Sequence, residues 1–85
     1  MNPNEIEELI RGGLSAELIQ VQSDDNTHYS AVVVSQAFAG LRGVARHQLI
    51  YKTLGARMGR EIHALSIQAH TPAEWAALQT SDSRS

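Results

Sequence analysis

The chain has 85 residues and a net charge of −2, with 42% apolar and 19% charged residues and no cysteine. That length fits one small domain, and the acidic balance argues against a generally basic nucleic-acid binder. Disulfides, a thiol nucleophile and a thiolate metal site held by this chain alone are excluded. Aromatics are few, so an aliphatic core of Val, Ile, Leu and Ala is expected.

Residues 4–14 read as a helix, because Ile6, Leu9, Ile10 and Leu14 recur at the spacing of one buried stripe. Gly12 and Gly13 mark its exit. Residues 17–22 alternate as a strand, 23–26 are turn-forming, and 28–35 are β-branched and continuous, as in a central strand. The two strands should pair as a hairpin with a loop longer than two residues. A connector, 36–43, holds the lone phenylalanine, Phe38, expected to anchor it to the core. A helix is predicted over 44–58, with Val44, His47, Tyr51, Leu54 and Met58 on its buried stripe and Gly59 as its stop. Arg46 and Arg57, eleven positions apart, would share a face roughly opposite that stripe.

Residues 62–69 read as a third strand, and the helical crossover before it predicts parallel pairing. Thr71, Pro72 and Glu74 spell a helix start with a capping box, with His70 and Trp75 in staple positions. The fold class is therefore α+β, in the order α-β-β-α-(α)-β-α. A three-stranded mixed sheet should carry its helices on one face. One domain is expected over 1–79, followed by a frayed polar tail over 80–85. The first residues lack the basic start and apolar run of a signal peptide, and no apolar stretch approaches a membrane span, so a cytoplasmic protein is expected.

Charge is unevenly distributed. Residues 1–35 carry six acids against one base, and residues 36–63 carry five bases against one acid. Arg42, Arg46, Lys52, Arg57 and Arg60 could meet phosphates, and Gly40 and Gly43 would admit a close backbone approach. The competing reading is a solvated helix face. There is no Gly-x-x-Gly clamp in the connector and no base-stacking platform, which weakens the nucleic-acid reading. Catalysis is the poorest reading. Ser30 and Ser66 lie within strands without nucleophile-elbow glycines, and the carboxylates cluster on a helix and in a turn.

Two histidines are candidate metal ligands. A neutral imidazole at His63 is a good ligand for iron or zinc, but strict alternation also puts it on the face of Leu65 and Ile67, as a half-buried strand residue. His28, at the edge of the hairpin loop, could add a second ligand or simply open a strand. His47 and His70 read as structural, His70 by stacking on Trp75.

Four motifs, in order, resemble the BolA family, and its bacterial IbaG branch most closely. They are Thr27-His28-Tyr29 leading into Val32-Val33-Val34; Phe38-Ala39-Gly40 followed by Val44, Arg46, His47, Gln48 and Tyr51; Ile62-His63-Ala64-Leu65-Ser66-Ile67; and Thr71-Pro72-Ala73-Glu74-Trp75. The resemblance implies a fold similar to the class II KH domain. It also implies a monothiol glutaredoxin partner, with glutathione, that shares a [2Fe–2S] cluster or binds without one, in iron–sulfur trafficking or iron and stress regulation. His63 would then be a cluster ligand, with His28 beside it, and the isolated chain would hold no cofactor. Two histidines cannot hold such a cluster alone, so the partner's thiolates would complete it. Gly40, Arg42, Arg46, Arg57 and Arg60 would form the partner surface, or, in the alternative reading, the DNA-binding surface of a transcriptional regulator. The sequence departs from the family in its short, cysteine-free loop 23–27 and in the extra glycine, Gly43, at the helix start.

Overall fold

The computed structural model describes residues 1–62 and 64–83, the last four by their backbone only. In chain order the elements are α1 (Pro3–Gly13), β1 (Leu18–Gln22), β2 (His28–Val34), a 3₁₀ turn (Gln36–Phe38), α2 (Gly43–Leu54), a second 3₁₀ turn (Gly55–Arg57), β3 (Ala64–His70) and α3 (Pro72–Ser83). The expected α+β class and element order hold.

α1 begins one residue earlier than its apolar spacing suggests, because Asn2 caps it. The Asn2 side chain accepts from the Glu5 amide at 3.0 Å, and the Glu5 carboxylate accepts from the Asn2 amide at 2.9 Å. Pro3 follows at a position where a missing N–H costs nothing. Ile6 and Ile10 are fully buried, with Leu9 and Leu14 packed against the same core.

The sheet order is β1-β2-β3. β1 and β2 pair antiparallel with Val21 opposite Ala31. β2 and β3 pair parallel with Ala31 opposite Ile67, as the crossover requires. Alternation sends Ile19, Val21, Tyr29, Ala31 and Val33 into the core, with Leu65, Ile67 and Ala69 packed on it. Gln20, Gln22, Ser30, Ser66 and Gln68 line the opposite, exposed face. α1 packs on β1 and α2, and α2 packs on β3. The helices meet closely at Gly13, where a Cβ would stand 2.8 Å from Thr53 Cγ2.

The connector is anchored by Phe38, which is 0% exposed. Buried Ser35 ties it to the β1 end: its hydroxyl donates to the Ser15 carbonyl at 2.6 Å and accepts from the Ala37 amide at 3.1 Å.

α2 corrects the sequence expectation in two ways. It ends at Leu54 because Gly55 takes a positive φ of 57°, which breaks the ladder four residues before Met58. Met58 instead forms an isolated bridge with Ile62. The buried face is set by Ile50 and Leu54, whereas Val44 is 72% exposed and Tyr51 38%. The stripe is thus turned by about one residue from the one read through Val44 and Tyr51. Arg57 lies in the 3₁₀ turn, so it does not share a helix face with Arg46.

Thr71 and Glu74 form the expected reciprocal cap at 3.2 and 2.9 Å, and the His70 and Trp75 rings lie 5.7 Å apart. α3 runs to Ser83, past residue 80 where the sequence placed the start of a tail; residues 84–85 lie outside the described residues.

Candidate functional site

The hairpin loop builds a fixed imidazole from short polar residues. Ser23 closes the loop, its hydroxyl donating to the His28 carbonyl at 2.6 Å and accepting from the Asn26 amide at 2.9 Å. Asn26 takes the positive φ of 55° that such a turn needs and that Asn tolerates. Asp25 then receives the amides of Thr27 and His28 on one carboxylate oxygen, each at 2.9 Å. Its other oxygen meets His28 Nδ1 at 2.9 Å. The His28 amide, then its ring, then the Thr27 amide hold the Asp25 carboxyl well below the usual carboxylate range. With Nδ1 on the carboxylate, a neutral His28 ring presents Nε2 as its lone-pair nitrogen, and its side chain is 70% exposed.

His28 opens β2 directly opposite Ala64, the first residue of β3. The two flank an open recess of about 370 Å³ on the uncovered sheet face, lined also by Gln22, Ser23, Asp24 and Ser66. His63, the first-ranked ligand of the sequence reading, lies outside the described residues. Among the described residues no three His, Cys, Asp or Glu side chains come together as a metal site.

The five candidates of the basic region separate. Gly40 (φ 78°), Arg42, Arg57 and Arg60 are exposed. Arg46 is not on a solvated face: its side chain is 13% exposed. Its guanidinium donates to the Leu41 carbonyl at 2.9 Å and the Ala69 carbonyl at 3.1 Å. It grips both Glu74 oxygens at 2.6 and 3.1 Å and lies 5.9 Å from the Phe38 ring centroid. Arg46 thus joins the connector, the end of β3 and the start of α3.

Compared with known families, the chain matches BolA, described as BolA-like protein, over residues 13–74. The chain belongs to the BolA family. It is similar to the acid stress protein IbaG of Escherichia coli, with 38% identity over 89% of this chain and 90% of that protein. It is also similar to the DNA-binding transcriptional regulator BolA of Vibrio cholerae, at 42% identity over 71% of this chain. It spans little more than half the length of several curated relatives, 57% in the Vibrio case. Among solved structures, a Bol-like protein from Babesia bovis superposes with a TM-score of 0.81 at 30% identity, over 93% of this chain and 94% of that one. No described helix of this BolA protein is long and apolar enough to cross a membrane.

Two residues of this BolA protein were not singled out for their charge partners. Asp25 read only as turn chemistry, although an Asp three residues before a His across a tight turn is the local signal for their contact. Glu74 read only as a cap, because its pairing with Arg46 spans 28 positions.

A pH dependence follows from Glu74. The Arg46 guanidinium, helped by the Thr71 amide, lowers its carboxyl from 4.5 to about 2. A depressed folded-state value stabilises the fold fully above the unfolded value and loses that contribution as pH falls from 4.5 towards 2. Urea midpoints measured across that range should fall with pH, and Glu74→Gln should flatten the profile. Asp25 contributes in the same direction, so a residual slope should remain and diminish further in Asp25→Asn.

Proposed function

We propose that this BolA protein is a non-catalytic adaptor that binds a monothiol glutaredoxin and contributes imidazole to a [2Fe–2S] cluster shared between the two chains. The observation that carries this reading is His28. It is exposed, oriented through Nδ1 by Asp25, and opposite Ala64, which directly follows His63 in the chain. Carboxylate-fixed imidazole is the usual preparation of a histidine for metal ligation.

The donor set also says what the chain lacks. With no cysteine it has no thiolate, and the described residues hold no cluster of three ligands, so a [2Fe–2S] group fits only where a partner supplies thiolates. His28 and His63 would be this chain's ligands. Exposed Gly40, Arg42, Arg57 and Arg60 would belong to the docking surface, whereas Arg46 would act by holding the connector and α3 in place.

The test is co-expression with a monothiol glutaredoxin. The complex should carry the visible absorbance and circular dichroism of the cluster. His63→Ala should abolish or strongly alter that spectrum, and His28→Ala should alter it while leaving the far-ultraviolet spectrum of the chain intact. An unchanged spectrum in both variants removes the imidazoles from the ligand set and with them this reading.

A nucleic-acid reading is favoured by one finding, the similarity to a protein named as a DNA-binding transcriptional regulator. It would rest on Arg42, Arg57 and Arg60. Binding to duplex DNA should then weaken steeply with salt, and each of those arginines replaced by alanine should reduce the salt slope. No binding at low salt rejects it.

A further inference from the structure

We infer that the outer edge of β3 pairs with β3 of a second copy of this chain, antiparallel about a two-fold axis at Ser66. The inference is independent of the glutaredoxin reading and starts from the two edges of the sheet, which are treated differently. At the β1 edge, the Glu7 carboxylate of α1 accepts the outward Val21 N–H at 3.0 Å. A charged group on an edge N–H prevents strand addition.

The β3 edge has such protection at one end only. The Ser35 amide donates to the His70 carbonyl at 2.9 Å, so His70, and with it Gln68, Ser66 and Ala64, direct their backbone groups towards β2. Leu65, Ile67 and Ala69 therefore direct theirs outward. Arg46 takes the outward Ala69 carbonyl at 3.1 Å. No described residue pairs with the outward N–H and C=O groups of Leu65 and Ile67. The strand contains no lysine, proline or acidic residue that would repel an identical strand.

One register uses all four open groups of Leu65 and Ile67 and leaves the Ala69 carbonyl with Arg46. With Ser66 on the two-fold axis, Leu65 faces Ile67 of the second copy, and Ile67 faces its Leu65. Each of these pairs exchanges both N–H···O=C bonds, while the Ser66 residues form the non-hydrogen-bonded pair between them, with Cα atoms ~4.5 Å apart. The sheet then runs continuously through both copies.

α2 supports the same occupant. Thr53 faces Gly13 of α1. Val44 and Tyr51 sit about 180° and 200° around α2 from Thr53, on the opposite flank. α1 packs on β1 and α2 packs on β3, so that flank points away from α1. Val44 and Tyr51 are two of the three large apolar residues left exposed in the described chain. A two-fold strand pairing would bring this flank towards its own mate and cover both.

The full chain has no cysteine, which makes cross-linking clean. Ser66→Cys places a thiol on the axis and should form an intermolecular disulfide under mild oxidation about tenfold faster than Gln68→Cys, whose two-fold mate is too distant for disulfide geometry. Gln68→Cys mixed with Ala64→Cys should cross-link, because that register sets these two opposite each other. Sedimentation should show a concentration-dependent dimer of the parent chain. Ser66→Lys should make it monomeric with an unchanged far-ultraviolet spectrum, and mixing it with Ser66→Glu should restore the dimer. A chain that stays monomeric at millimolar concentration overturns the inference, as does a dimer in which Gln68→Cys cross-links as fast as Ser66→Cys.

Discussion

Phe38→Ala is expected to be the most damaging single substitution in the connector, lowering folding stability by about 3–5 kcal/mol. The ring is fully buried, lies in the one aromatic-bearing turn between β2 and α2, and faces the Arg46 guanidinium. Removing it takes away apolar burial and leaves a void that the turn cannot close, because Ser35 and Arg46 hold its two ends. A domain of this length has a total stability of about 4–13 kcal/mol, so the variant should be largely unfolded under conditions where the parent is folded. Urea unfolding followed by circular dichroism measures this directly. A loss below about 1 kcal/mol would show that the connector is not built on this ring.

The second large effect is expected at Arg46. Arg46→Ala strips the Ala69 and Leu41 carbonyls of a donor and leaves Glu74 without its cation. α3 is held near its start by the Thr71–Glu74 cap, this guanidinium and the His70–Trp75 contact. The variant should therefore lower the unfolding midpoint and shift the emission of Trp75, the only tryptophan, to the red. Arg46→Lys should not rescue it, because an ammonium cannot serve two carbonyls and both carboxylate oxygens in one plane. Arg57→Ala, an exposed charge in a 3₁₀ turn, should leave both readouts nearly unchanged. Equal effects at Arg46 and Arg57 would contradict the structural role given to Arg46.

These two residues show how far local pattern carries. Phe38 was legible as an anchor because a lone aromatic between glycine-bearing turn residues has few other uses. Arg46 was misplaced because helical spacing reports a face, and a face says nothing of a carboxylate 28 positions away. The same limit explains α2. Its apolar spacing is compatible with two adjacent stripes; in the fold Thr53 comes close to Gly13 of α1 and Ile50 is fully buried, and neither contact is visible in the spacing.

The sequence by itself determined the order of elements, the hairpin, the parallel third strand, the capping of α3 and the family. Each of these depends on residues within a few positions of one another, or on motifs read in order. Only the tertiary structure decided which face of α2 is buried, that Arg46 braces the domain rather than facing solvent, that Asp25 orients the His28 ring, and which edge of the sheet is open. Those outcomes depend on where distant segments meet, and a side chain's partner across the fold leaves no mark on its own neighbours in the chain.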